Sequence, residues 1–338
     1  MLSSHAIQDL SPTNPSLLKV LTPAIGPSGV ELNGFVSAPS LVGRLPDLAH
    51  ALLVRDIQFE CEGEGTMAQL PAFPAAVRQV IGTELMKTAS REALAGLPCP
   101  WSPACGLHVF FNGQAGETAG DASRLMLPPP WVIRTESTGI NSIRITIRLF
   151  GLGLLWTGEL AEAGHRAIEH GICLGSLGSV CQGVLHRSIE DIWTGIPDEA
   201  DGADRALLSF STPYMSAQGT AQPHKPEVGF LGAMLERART IAHWHGMTLD
   251  ADDKELQAAV KQTTVDGRGL GQVDWKRPLS QKGGQSVVMS GHMGLLQLKL
   301  GDEIRGPLIQ LLHIGSLLHG GEQVAFGMGR YDLILMPA

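Results

Sequence analysis

The chain has 338 residues, 43% of them apolar, 41 glycines and a formal net charge of −8. That length predicts about two domains, each able to bury its own core, and the apolar content excludes a disordered or fibrous chain. An acidic balance weighs against a phosphate binder unless a local basic face forms; Arg237, Arg239, Lys276, Arg277, Lys282 and Arg330 are the residues that could make one.

The five cysteines, Cys61, Cys99, Cys105, Cys173 and Cys181, are odd in number and irregularly spaced, which argues against a disulfide framework and for a reducing compartment. Cys99 and Cys105 flank a short turn that could supply half of a zinc site, but no second close pair follows, so no metal is expected. The first thirty residues lack the basic end and apolar stretch of a signal peptide. No uncharged apolar run approaches the length that spans a bilayer. The expectation is a cytoplasmic protein without membrane contact.

In chain order, residues 1–46 are rich in Ser, Pro, Gly and Asn and read as an extension of irregular structure or a short hairpin. A first domain is expected over residues 47–195. It opens with a half-buried strand carrying Ile57, Phe59 and Cys61 on one face. A helix follows over Pro71 to Arg91, with Val77, Ile81, Leu85 and Ala89 at helical spacing. Leu107 to Phe111, Trp131 to Ile133 and the alternating Ile143, Ile145, Ile147 and Leu149 read as strands. Glu159 to His170 reads as a second helix and Val184 to Ile192 as a closing strand. A linker is expected over Gly195 to Gly202, and a second domain over residues 203–338. Its elements are a strand at Ala206 to Ser211, a helix at Phe230 to His243, and strands at Ser286 to Ser290 and Met293 to Leu300. A helix at Pro307 to Leu318 and a strand at Val324 to Leu335 complete it. The fold class expected is therefore α+β, two tandem ferredoxin-like domains of β-α-β-β-α-β order.

The most specific string is Leu318-His319-Gly320-Gly321-Glu322-Gln323-Val324-Ala325-Phe326-Gly327-Met328-Gly329-Arg330-Tyr331. Its glycines permit positive φ and close approach of another backbone or a phosphate. No Gly-Lys-Ser or Gly-Lys-Thr follows, so it is not a nucleotide-hydrolase phosphate loop. On glycine content alone, a tight hairpin before the last strand explains it as well.

A helix ending in Leu-Leu, this loop, and then Phe-Gly-x-Gly-Arg-Tyr resembles the C-terminal signature of the CRISPR-associated RAMP superfamily, specifically its repeat-RNA processing endoribonucleases. Asp274-Trp275-Lys276-Arg277 with Ser280 and Gln281, Gly291-His292-Met293-Gly294, and Ser209-Phe210-Ser211-Thr212-Pro213 fall in that family's order. So do Val77 to Gly82 and Arg144 to Gly151, more loosely. The resemblance implies binding of CRISPR repeat RNA, with other effector-complex subunits as further partners. It also implies metal-independent cleavage through the RNA 2′-hydroxyl, with no cofactor. The alternative within the same superfamily is a non-catalytic subunit that binds guide RNA.

Such chemistry needs a base, an acid and cations near the phosphate. His319, His50 and His108 are the catalytic candidates. Arg78, Lys87, Arg237, Trp275, Lys276, Arg277, Gly320, Gly321, Gly327, Gly329 and Arg330 are the RNA-binding candidates. Two departures from the family stand out: Glu322 follows the glycine pair where a lysine is expected, and the first helix, Pro71 to Arg91, holds no histidine.

Overall fold

The computed structural model describes residues 26–112, 114–116, 125–192, 194, 196, 203–216, 229–250, 253–278, 286–301 and 305–337. Among the described residues no helix is long and apolar enough to cross a membrane. The helices are α1 (Gly29–Ser37), α2 (Leu45–Ala51), α3 (Phe73–Met86), α4 (Arg91–Leu94), α5 (Gly106–Phe111), α6 (Thr157–Glu169), α7 (Phe230–Ala242), α8 (Lys254–Gln262) and α9 (Arg305–Leu318). The strands are β1 (Leu41–Gly43), β2 (Val54–Gly63), β3 (Gln114–Gly116), β4 (Leu125–Leu127), β5 (Trp131–Gly139), β6 (Ser142–Phe150), β7 (Ile172–Cys173), β8 (Ser179–Ile192), β9 (Ala203–Tyr214), β10 (Met247–Leu249), β11 (Thr264–Pro278), β12 (Ser286–Lys299) and β13 (Tyr331–Pro337).

Two antiparallel sheets carry the fold. The first has the order β5-β6-β2-β8-β7 and the second β11-β12-β9-β13. In each, the opening strand of a β-α-β-β-α-β unit lies between the third strand and the last, which is the ferredoxin-like arrangement. Period-two alternation builds the first sheet: Ile57, Phe59, Cys61, Ile143, Ile145, Ile147 and Leu149 face the helices and are fully buried. Asp56, Glu60, Arg144 and Arg148 lie on the opposite face, paired across β2 and β6 in register. Truncating one of those buried isoleucines to alanine costs about 2–5 kcal/mol.

Several expected elements differ. Residues 29–46 are not irregular. They hold α1, capped by Ser28, whose Oγ accepts from the Glu31 N–H at 3.3 Å while the Glu31 carboxylate accepts from the Ser28 N–H at 2.8 Å. After α1 comes β1, which pairs in parallel with β10 of the second half. Leu107 to Phe111 is helix α5 rather than a strand, since a short apolar run does not distinguish the two by periodicity. Its Gly106 N–H donates to the Glu159 carboxylate at 2.9 Å.

Ser286 to Lys299 is one strand, not two. Gly291 to Gly294 forms no turn but an irregularity inside it, with Gly294 at φ +116°. Its partner β11 contains Asp274 to Arg277, so that segment is a ribbon strand. Helix α8, capped by the Asp253 carboxylate on the Leu256 N–H at 3.1 Å, had no counterpart among the expected elements. The last strand begins at Tyr331, because Val324–Phe326 is a 3-10 turn. The expected linker lies outside the described residues except for Ile196, as do Ser280, Gln281 and Lys282.

The segment after α7 joins the halves. Trp244 is fully buried and its indole N–H donates to the Pro128 carbonyl at 2.9 Å. His245 accepts from the Leu53 N–H at 3.1 Å through Nε2 and donates from Nδ1 to the Ile241 carbonyl at 3.1 Å.

Candidate functional site

Where β9 leaves the second sheet and the glycine-rich loop returns to it, a cleft of about 370 Å³ opens against the first domain. Ala68, Gln69, Leu70 and Pro74 form one wall, Thr135, Glu136 and Ser137 of β5 the floor, and Ser211, Thr212 and Arg330 the other wall. Glu136 and Arg330 are the only titratable groups among these lining residues. Arg330 is fixed at its backbone: its N–H donates to Thr212 Oγ1 at 2.8 Å and its carbonyl accepts from the Ser211 N–H at 3.0 Å. Its guanidinium crosses to the Glu136 carboxylate. Arg134 Nη2 lies 3.4 Å and Arg144 Nη1 3.9 Å from the same carboxylate. Burial works against ionisation of Glu136, yet Arg330, Arg134 and Arg144 together hold its carboxyl below the usual range.

The loop itself is a packed connection. Phe326 sits between two guanidinium groups, Arg78 at 5.0 Å and Arg277 at 4.7 Å from its ring centroid. Arg78 also covers Phe111 at 4.1 Å, and burial lowers its pKa to about 10. Arg277 Nη1 donates to Gln323 Oε1 at 3.0 Å. Gly327, at φ +80°, faces Pro74 and the Ile133 carbonyl, where a Cβ would stand 2.6 and 2.8 Å away. Gly329, at φ +71°, leaves 1.7 Å between a Cβ and the Gly320 carbonyl oxygen. The amides of Gly320, Glu322, Phe326, Gly327 and Gly329 already donate to protein carbonyls. The Gly320, Gly321, Gly327 and Gly329 backbone therefore serves domain packing, and the N–H groups of Gly320, Gly327 and Gly329 are not open to a phosphate.

Of the RNA-binding candidates, Arg78, Arg277, Gly327 and Arg330 thus converge at this junction, with only Arg330 lining the cleft. Lys87 ends α3 and pairs with Glu84 at 2.6 Å. Arg237 is buried on α7, its guanidinium nitrogens without a hydrogen-bond partner among the described residues, and burial lowers its pKa to about 9. Trp275 and Lys276 lie on the β11 ribbon, where alternation sends them to opposite faces.

The catalytic candidates are not brought together, and none lines the cleft. His319 is fully buried with φ +62° and donates from Nδ1 to the Met328 carbonyl at 3.2 Å. Burial, then Arg134, Arg148, Arg330 and Arg237, press its pKa well below the ordinary value. His108 is buried in α5 with Nε2 3.2 Å from Asn33 Oδ1, and burial lowers its pKa as well. His50 belongs to α2, not to the first strand; it is exposed, with Nδ1 2.7 Å from the Pro46 carbonyl. Cys99 and Cys105 meet each other, the Cys105 N–H donating to Cys99 Sγ at 3.3 Å. Among the described residues no three His, Cys, Asp or Glu side chains gather to hold a metal.

Sequence reading missed Glu136, Thr135 and Ser137. The signal was present in Arg134-Thr135-Glu136-Ser137, a strand whose polar face alternates with Trp131 and Ile133, but alternation alone does not say which polar face meets a second domain.

No family model matches the chain, and no curated protein does. Solved structures do. A Cas6 product complex superposes with a TM-score of 0.50 at 15% identity, over 83% of this chain and 99% of that one. A second Cas6 product complex gives 0.49 at 17% identity, over 84% and 99%. Thermus thermophilus Cas6 gives 0.45 at 14%, also over 84% and 99%. The first of these likenesses carries the assignment, and at its identity the assignment is one of fold. The protein is a tandem ferredoxin-like pair, similar in fold to that Cas6 structure. Coverage of 83% is more than either half alone could supply, so the likeness spans both domains.

Proposed function

We propose that the protein binds CRISPR repeat RNA across the interdomain cleft and cuts it as a metal-independent endoribonuclease. The observation that carries this reading is Arg330, held by its backbone on the wall of a cleft lined with hydroxyls. In the reaction the ribose 2′-hydroxyl gives its proton to water as the 2′-oxygen bonds to the adjacent phosphorus, the bond from phosphorus to the 5′-oxygen breaks, and that oxygen takes a proton from water, leaving a 2′,3′-cyclic phosphate; negative charge builds on the non-bridging oxygens on the way. A guanidinium already fixed in place stabilises that charge without reorganising, and its planar fork matches two phosphate oxygens. Ser211 and Thr212 line the cleft beside it, Thr212 Oγ1 accepting from the Arg330 N–H. Among the described residues lining the cleft, Arg330 is the group that can stabilise this charge.

The test is incubation with repeat RNA in EDTA beside the same RNA carrying a 2′-deoxy at the scissile nucleotide. A single cut abolished by the 2′-deoxy supports the reading. The acidic balance and the lack of a histidine between Pro71 and Arg91 favour one second reading, a non-cleaving RAMP subunit that holds guide RNA with other effector subunits. Tight binding without a cut would select it.

A further inference from the structure

The Glu136 carboxylate is surrounded by more positive charge than one carboxylate balances. Arg330 reaches it from the second domain, with Arg134 at 3.4 Å and Arg144 at 3.9 Å on its own sheet. Arg144 is shared with Glu60. A second ion pair on the same face, Asp56 with Arg148, differs in kind: both side chains are only 5–6% exposed and both contacts are 2.8 Å, a closed structural pair. The Glu136 cluster is less enclosed, with side chains 32% exposed at Glu136, 39% at Arg144, 22% at Arg134 and 14% at Arg330. Guanidinium forks accept carboxylate and phosphate in the same bidentate geometry, so a carboxylate held in this way marks a place that a phosphodiester fits.

We propose that Glu136 occupies an RNA phosphate subsite formed by Arg330, Arg144 and Arg134, and that substrate binding displaces it. This rests on the RNA reading above and goes beyond it, since it assigns a subsite and a built-in competitor for it. Thr212 borders Glu136 and Arg330 in the cleft, its Oγ1 accepting from the Arg330 N–H at 2.8 Å. Until RNA arrives, the carboxylate keeps three like charges aimed at one point and competes with stray anions. An RNA with a phosphate at that register replaces it, and Glu136 turns to solvent at small cost because it is already one-third exposed.

The test compares the wild type with Glu136→Gln and Glu136→Asp in binding labelled repeat RNA across a salt series. Removing the competitor is expected to tighten Glu136→Gln by about three- to tenfold at low salt. It should also steepen the dependence of affinity on salt by about one phosphate contact. Glu136→Asp, which keeps the charge, should stay near wild type. A merely structural tie between the domains gives the opposite sign: Glu136→Gln would bind RNA more weakly, and that result, or an unchanged affinity and salt slope, overturns the subsite. Should neither wild type nor variant hold repeat RNA, the RNA reading fails on its own. Titration with inorganic phosphate then judges the subsite: tighter binding by Glu136→Gln supports it and equal binding overturns it.

Discussion

His319 and Arg330 flank the same glycine-rich loop and have opposite fates. His319 enters the loop at positive φ and is fully buried, its pKa pressed down by that burial and by nearby arginines. Arg330 leaves the loop on the cleft wall with its guanidinium aimed at the first domain. Between them the loop spends its glycines on contact with Pro74, Ile133 and Met215. A motif read for chemistry is here mostly a packed connection between two sheets, and the residue proposed to act on RNA is the one that comes out the other side. The same division runs across the first sheet, where Asp56 with Arg148 is closed and Glu136 with its three arginines is open.

That contrast can be broken from either side. The largest effect is expected from Gly329→Val, which places a side chain at φ +71° against the Gly320 carbonyl. A loss of about 3 kcal/mol or more in urea unfolding is expected, with RNA binding lost only because the fold is. Next is Arg148→Ala, which strands Asp56 in the sheet face and should cost about 3–5 kcal/mol by the same measurement.

Acid should act on the sealed histidines. His245, His108 and His319 are all held below 6.5 by burial first, so the unfolded chain binds protons there that the native one does not. Stability is therefore present in full above 6.5 and is lost as pH falls below it. Urea midpoints at about pH 5.5 and about pH 7.5 should differ in that direction. The smallest effect is expected from His50→Ala on the exposed face of α2, within about 0.5 kcal/mol. An acid-insensitive midpoint, or a large loss at His50, would blur the distinction between sealed and open groups.

The ferredoxin-like order was legible because it is written in two clear periods. Ile143, Ile145, Ile147 and Leu149 alternate, while Val77, Ile81 and Leu85 recur at helical spacing, and each pattern has one physical solution. Helix α1 was also written, in the Ser28 and Glu31 capping box, but a surrounding stretch rich in proline and glycine hid it. Helix α5 and ribbon strand β11 were not legible. The first is a short apolar run that suits either state, and the second is interrupted by Gly267, Gly269 and Gly271, which weaken its alternation. At the site, Arg330 and the Ser211-Thr212 segment of β9 carried a local signal. Glu136 did not, since its meaning comes from Arg330, which approaches it only after both domains have folded and docked.

The most direct measurement is single-turnover cleavage of repeat RNA in EDTA by the wild type, Arg330→Gln and His50→Ala, each checked for an unchanged fold. Arg330→Gln is expected to lose about a hundredfold in rate, the scale of removing one preorganised charge donor, and His50→Ala to cut as the wild type does. Full activity in Arg330→Gln, or loss confined to His50→Ala, would contradict a cleft that works through its arginine.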